Sequence, residues 1–219
     1  MQVMPTILEN SIDGFINQIN KLIPYFDYFQ IDIADGKFVP NKTVSLEEIT
    51  NLFSKNFKLK TSNCFDFHLM VEDYEKEIKE IIKLEKYVNI KNILVHSNAE
   101  YQIINTKYPQ LTFGLVINPS ETIKTIIPNN KLNDLPAIQI MSVEPGFQGS
   151  PFIKETLNKV EQLRLANYRN KILIDGGVNK NTIPLIMDNK YRPDIMCVGS
   201  FITKCDDLAD RVSYLKSLG

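Results

Sequence analysis

Two short segments of the chain, Phe29-Gln30-Ile31-Asp32-Ile33-Ala34 and Ile172-Leu173-Ile174-Asp175, each carry an aspartate at or near the end of an apolar run. Residues two apart on a β-strand share a face. Gln30, Asp32 and Ala34 are therefore expected to face one way, with Phe29, Ile31 and Ile33 facing the other. Leu173 and Asp175 likewise share a face. Two carboxylates on opposite sides of one flat intermediate suit a two-base epimerisation. One removes a carbon-bound proton, and the other delivers a proton to the opposite face. A single inward aspartate more often makes a structural hydrogen bond to a loop. The matching strand-end positions of Asp32 and Asp175 are what favour chemistry.

A third segment, Phe65-Asp66-Phe67-His68-Leu69-Met70, puts Asp66, His68 and Met70 on one face. One histidine with two carboxylates is a donor set for a divalent transition metal. Such an ion would polarise a substrate carbonyl and stabilise an enediolate. His96, in Leu94-Val95-His96-Ser97, is the only other histidine and is read as structural or as support for a ligand. Three glycine-bearing segments follow later apolar runs: Glu144-Pro145-Gly146-Phe147-Gln148-Gly149, Gly176-Gly177-Val178-Asn179 and Gly199-Ser200. Glycine lets backbone N–H groups approach an anion closely, and helix N-termini add a favourable dipole. One Gly-Gly pair usually only makes a turn. Three such loops in the last third of the chain point to a phosphate held by backbone.

The elements that must position these groups are legible as an alternation. Short apolar runs cover Val3 to Leu8, Tyr28 to Ala34, Phe65 to Val71, Ile93 to His96, Phe113 to Ile117, Ala137 to Val143, Ile172 to Asp175, and Ile195 to Gly199. Amphipathic stretches such as Ile12 to Leu22, Glu72 to Leu84, Phe152 to Ala166, Asn181 to Met187 and Leu208 to Leu218 lie between or after them. Strand–helix alternation implies a parallel sheet, because parallel neighbours need crossovers. Eight units of about 27 residues each fit a closed α/β barrel, a single (β/α)8 domain over residues 1–219. The rival open sheet would want a glycine-rich first turn, and the turn here is Leu8-Glu9-Asn10-Ser11. In a barrel, the carboxyl ends of the strands are where chemistry is placed.

Composition narrows the partners. With 25 basic and 26 acidic residues the formal net charge is −1, so no global field attracts nucleic acid or an anionic membrane. The basic residues form no run interleaved with aromatics, which argues against a nucleic-acid module. No apolar run approaches the roughly 18 residues of a membrane span. Cys64, Cys197 and Cys205 fit neither a disulfide framework nor a zinc knuckle and read as reduced thiols. The opening Met1 to Thr6 has no basic region followed by an apolar run, so no signal peptide and a cytoplasmic location are expected.

The quoted motifs resemble those of the ribulose-phosphate 3-epimerase family. Asp32-Ile33-Ala34-Asp35-Gly36-Lys37-Phe38-Val39-Pro40-Asn41 is similar to its second-strand signature, and Asp66-Phe67-His68-Leu69-Met70-Val71 to its third-strand motif. Asn118-Pro119, Met141-Ser142-Val143-Glu144-Pro145-Gly146-Phe147 and Asp175-Gly176-Gly177-Val178-Asn179 resemble the fifth-, sixth- and seventh-strand motifs. Pro5-Thr6-Ile7-Leu8 corresponds to a family Pro-Ser-Ile-Leu, so the matches run in order over nearly the whole chain. The resemblance implies interconversion of D-ribulose 5-phosphate and D-xylulose 5-phosphate through a cis-enediolate, with Asp32 and Asp175 as the acid/base pair. It also implies one divalent ion, Zn2+ or Fe2+ with Mn2+ or Co2+ as alternatives, on Asp32, His68, Asp175 and the position of Gln30. The implied substrate contacts are Thr6, His68, Met70, Met141, Gly146, Phe147, Gln148, Gly149, Gly176, Gly177, Gly199 and Ser200. Family assemblies differ, with a dimer favoured here.

Four positions depart from the family pattern. Gln30 stands where a ligand histidine is usual, and an amide is a poorer donor to a borderline-soft metal. Ala34 replaces a methionine, so the apolar lining loses bulk there. Gln148 and Ser150 replace a glycine and a glutamine in the phosphate loop. Two other readings therefore stay open: a 3-epimerase of a six-carbon ketose phosphate such as allulose 6-phosphate, and a non-catalytic sugar-phosphate-binding barrel.

Overall fold

The computed structural model describes residues 1–55, 57, 59, 62–97, 101–126, 132–146 and 149–218, with backbone alone for 101, 102, 125 and 126. Eight parallel strands close into a barrel in sequence order. They are β1 Gln2–Ile7, β2 Tyr28–Ala34, β3 Cys64–Met70, β4 Asn89–His96, β5 Phe113–Ile117, β6 Ala137–Met141, β7 Lys171–Asp175 and β8 Ile195–Val198. The helices are α1 Ile12–Leu22, α2 Leu46–Ser54, α3 Tyr74–Leu84, α4 Tyr101–Lys107, α5 Ile123–Ile126, α6 Leu157–Leu165, α7 Ile183–Met187, α8 Ser200–Thr203 and α9 Leu208–Lys216. This is the (β/α)8 architecture that the alternation implied. Among the described residues no helix is long and apolar enough to cross a membrane.

Polar side chains decide where several helices begin. Ser11 accepts from Gly14 N–H to open α1, and Ser45 and Glu48 form a reciprocal capping box at α2. Asp73 accepts from Lys76 N–H, which moves the start of α3 to Tyr74 rather than the expected Glu72. The helix expected from Phe152 starts later, as a 3₁₀ turn at Lys154–Thr156 leading into α6. Ile153 N–H is bonded instead to Ser142 O at 2.7 Å, which keeps the preceding segment extended along the barrel. β6 stops at Met141 rather than Val143, and the bond from Ser142 N–H to Asp175 O, at 2.6 Å, is the last of its ladder with β7.

Alternation along the strands makes two apolar shells. Outward residues such as Phe29, Ile31, Phe65 and Phe67 pack under the helices, with the Phe29 and Phe65 rings stacked 5.7 Å apart. Inward residues Met4, Leu94, Val116, Leu173, Ile195 and Cys197 fill the barrel. Register then aligns the polar inward positions: Gln30 with Asp66, Asp32 with His68, Met141 with Asp175, and Asp175 with Cys197. At the amino-terminal end of the barrel, Asp66 accepts from Tyr28 Oη at 2.6 Å and from Asn92 Nδ2 at 2.9 Å. Burial pushes the Asp66 carboxyl up to about 6, against the pull of the Tyr28 and Asn92 hydrogen bonds.

Gly114 shows how tightly the interior is filled. A Cβ there would lie 2.7 Å from Leu94 Cδ2 and 3.0 Å from Ala137 O. Gly114→Ala should therefore overpack the barrel and cost about 1–3 kcal/mol. A urea midpoint within error of the unsubstituted protein would show that the neighbouring strands yield without strain.

Candidate active site

Strand register explains how residues distant in sequence reach one point. Asp32 and His68 are side by side on β2 and β3, and Asp175 ends β7, three steps round the ring from β2. His68 Nδ1 is 3.0 Å from Asp32 Oδ1 and 3.8 Å from Asp175 Oδ2. One donor atom each from Asp32, His68 and Asp175 lies within 4.8 Å of the other two. All three residues are buried, His68 with 1% exposure.

Gln30 occupies the inward position before Asp32 and links the two carboxylates. Its Nε2 donates to Asp32 Oδ1 at 3.0 Å and to Asp175 Oδ2 at 2.7 Å, while Oε1 accepts from Cys197 Sγ at 3.4 Å. Two acceptor oxygens on one side and a thiol donor on the other favour this orientation of the amide. A nitrogen so engaged cannot ligate a cation, whereas Asp32, His68 and Asp175 supply oxygen and imidazole donors that fit a divalent transition metal. Gln30 could join them only by turning its oxygen inward.

The electrostatics follow from burial and like charge. Loss of water, then the Asp32 charge, raises the Asp175 carboxyl to about 7, against the opposing effects of His68, Gln30 and the Gly176 N–H. Burial, then Asp175 and Asp32, holds the Cys197 thiol well above its ordinary range, so it stays protonated. Burial, then His68, keeps His96 well below the usual histidine value. The Asn118 side chain beside that ring favours its protonated form, although neither His96 Nδ1 nor Asn118 Oδ1 makes a hydrogen bond of ordinary geometry among the described residues.

Thr6, Asp32, His68, Met70, Met141, Gly146, Gly149, Asp175, Gly176, Gly177, Gly199 and Ser200 all line one cavity at the carboxyl end of the barrel. Gln30 lies beneath it, and Phe147 and Gln148 fall outside the described residues. Thr6 lines the cavity with its Oγ1 buried beside the Cys197 thiol. Ala34 packs with Val39 and Met70, with Leu8 and Phe38 against them. Gly176 has φ +108°, and a Cβ there would sit 2.4 Å from Val143 Cγ2, so glycine is required where the loop leaves β7.

Three supporting residues escaped the sequence reading. Gln139 Nε2 donates to Asp175 Oδ2 at 2.8 Å, and its place two residues before Met141 put it on the inward face. Ser142 Oγ bonds to the carbonyls of Asp175 and Gly176 at 2.9 and 2.6 Å, tying the β6 loop to the β7 loop. No residue pattern signals that clamp. Cys197, expected only as a buried thiol, also serves Gln30.

Comparison with known proteins points the same way. A family model described as the ribulose-phosphate 3 epimerase family matches residues 2–203. A ribulose-phosphate 3-epimerase of Bacillus subtilis (strain 168) is 30% identical over 226 residues, covering 99% of this chain and 98% of its own. One of Methanocaldococcus jannaschii is 30% identical over 198 residues, covering 87% and 78%. Among solved structures, a 3-hexulose-6-phosphate synthase matches with TM-score 0.62 at 14% identity, over 100% of this chain and 99% of that one. Phosphoribosyl anthranilate isomerase from Thermotoga maritima gives 0.65 at 12% identity, over 99% and 98%. At such identities these structures speak for the fold alone.

The Asp175 shift carries a pH signature for the metal-free protein. Between about 4 and about 7 the folded state holds a proton that the unfolded state releases, so the unfolded state binds fewer protons. Stability should fall as pH rises through that window, then level off. Asp175→Asn, neutral throughout, should lack this part of the slope. Urea midpoints measured from pH 4.5 to 8 check it, and parallel profiles for the two proteins would contradict it.

Proposed function

The chain belongs to the ribulose-phosphate 3-epimerase family, and from that premise we propose that its pocket interconverts D-ribulose 5-phosphate and D-xylulose 5-phosphate. One observation carries the reading. Asp32 and Asp175, from strands three steps apart round the ring, converge on one buried point, joined through Gln30 Nε2.

With the sugar C3 between them, Asp32 takes the C3 proton from one face and leaves a planar enediolate. Asp175, from the other side of the barrel mouth, gives a proton to the opposite face. The roles reverse in the other direction. Gln30 and Gln139 both donate to Asp175 Oδ2, which steadies that oxygen when it is charged. Met70 and Met141 present apolar walls that keep water from the intermediate, and Thr6 Oγ1 offers a hydroxyl to the sugar. Backbone at Gly176, Gly177, Gly199 and Ser200 provides the phosphate grip, which a chain of net charge −1 needs in place of a basic cluster. Asp32, His68 and Asp175 would hold a divalent ion, Zn2+ or Fe2+ in first place, that polarises the carbonyl and stabilises the enediolate charge when bound.

Asp175→Asn should lower turnover by roughly 10²–10⁴-fold while leaving sugar-phosphate affinity nearly unchanged. Near-normal turnover would refute the acid/base role. In D2O the unsubstituted enzyme should place deuterium at C3 of the pentulose phosphate. Absence of label, or faster turnover of a six-carbon ketose phosphate, would redirect the reading. Gln30→His should tighten Zn2+ binding in a calorimetric titration, and unchanged affinity would put position 30 outside the metal's reach.

A further inference from the structure

Behind the carboxylates lie two buried polar atoms, His96 Nδ1 and Asn118 Oδ1, that make no hydrogen bond of ordinary geometry among the described residues. Burying such atoms unpaired is unfavourable, so a state that pairs them is favoured. They stand at the end of a chain of contacts. Asp32 Oδ1 meets His68 Nδ1 at 3.0 Å, His68 Nε2 meets His96 Nε2 at 3.0 Å, and Asn118 lies beside the His96 ring.

Both end members are held in place. Phe38 packs on the His96 ring with centroids 4.7 Å apart. Asn118 directly follows β5, and its main chain is gripped on both sides. Lys159 Nζ donates to its carbonyl at 2.6 Å, and its N–H donates to Glu121 Oε2 at 2.5 Å.

The placement of hydrogens decides what this chain of contacts can do. In a pair of neutral imidazoles, one hydrogen lies between the two Nε2 atoms. If His68 keeps its hydrogen on Nδ1 and donates it to Asp32, its Nε2 is a lone pair. His96 must then donate from Nε2, its Nδ1 is bare, and Asn118 Oδ1 faces only another acceptor. If the His68 hydrogen is on Nε2, the order reverses. His68 donates to His96, the His96 hydrogen moves to Nδ1, and it is turned toward the Asn118 side chain. Each ring carries one hydrogen in both arrangements, so no net proton is gained or lost. The second arrangement turns a His96 hydrogen toward the Asn118 side chain and leaves a lone pair on His68 Nδ1, where a cation in place of the hydrogen has to stand between it and the carboxylates of Asp32 and Asp175.

We propose that His96 and Asn118 are positioning residues that hold His68 as its Nε2–H form, so that its Nδ1 lone pair is presented to a divalent cation between Asp32 and Asp175. The proposal rests on the metal-assisted reading above and extends it to two residues that touch neither ion nor sugar. Imidazoles that hold metals commonly need such a partner for the other ring nitrogen. Here that partner is a second imidazole, backed by an amide.

Zn2+ affinity of the metal-free full chain, read by competition with a chromophoric chelator, tests this together with ¹⁵N spectra of the zinc-loaded histidines. The spectra should show His68 protonated at Nε2 and His96 at Nδ1. His96→Phe should weaken Zn2+ binding by about 10–100-fold, and Asn118→Ala should weaken it by less. His96→Gln, whose Oε1 can accept from His68 Nε2–H, should recover most of the loss, which filling space alone would not achieve. Wild-type affinity in folded His96→Phe or Asn118→Ala overturns the proposal, as does a zinc-loaded His68 protonated at Nδ1. If His96→Phe does not fold, Asn118→Ala and the wild-type spectrum decide. Failure of the unsubstituted protein to bind Zn2+ would overturn the metal reading, and this proposal with it. Zn2+ binding that is indifferent to the variants overturns this proposal alone.

Discussion

Asp32 and Asp175 share one amide nitrogen as a hydrogen-bond donor in a place where little water remains to screen them. Repulsion between buried like charges is costly, and the surrounding residues relieve it in complementary ways. A proton stays on Asp175 into the neutral range. Gln30 and Gln139 turn their amide hydrogens toward the pair. His68 stands within reach of both, its Nδ1 3.0 Å from Asp32 Oδ1 and 3.8 Å from Asp175 Oδ2. Cys197 completes the Gln30 amide and stays a thiol because burial, and then the two carboxylates, disfavour its charged form. The closed barrel makes this possible, since only a ring of strands can aim side chains at one point from so many directions.

Much of this was legible because a strand has a period of two. Alternation in Phe29 to Ala34 and in Phe65 to Met70 put Gln30, Asp32 and His68 inward, and the structure places them there. Helix starts were less legible wherever a side-chain cap or a loop hydrogen bond, as at Asp73 and Ile153, overrode the hydrophobic pattern. Gln30 marks another boundary. Residue type alone does not say which end of an amide faces inward, and here the neighbours decide it. The His68–His96 contact was hidden for a related reason. It depends on the pairing of β3 with β4, which shifts by one residue between Phe65 and Asp66. No spacing within either segment encodes that shift.

The departures from the family pattern also look different in three dimensions. Ala34 shares its cluster with Val39, Met70, Leu8 and Phe38. Phe38 from that cluster reaches the His96 ring, so the second-strand segment and the fourth strand are joined by packing as well as by function. Gln30, at the position where the resemblance implies a histidine, satisfies both carboxylates by hydrogen bonding. The substitution keeps the pair together while changing the chemical character of the fourth position.

The packed interior beneath the site has its own consequence. Met4, Leu94, Val116, Leu173 and Ile195 fill the barrel below the carboxylates, and Tyr28, Asp66 and Asn92 knit its far end. On the proposed reading, sugar, water and exchangeable hydrogen would share the cavity at the carboxyl end, and a bound substrate would act as its own stopper. While it sat there, a hydrogen lifted from it would be sheltered from the solvent pool, so that solvent label would enter between turnovers and the turnover clock and the isotope clock of this barrel need not run at the same rate.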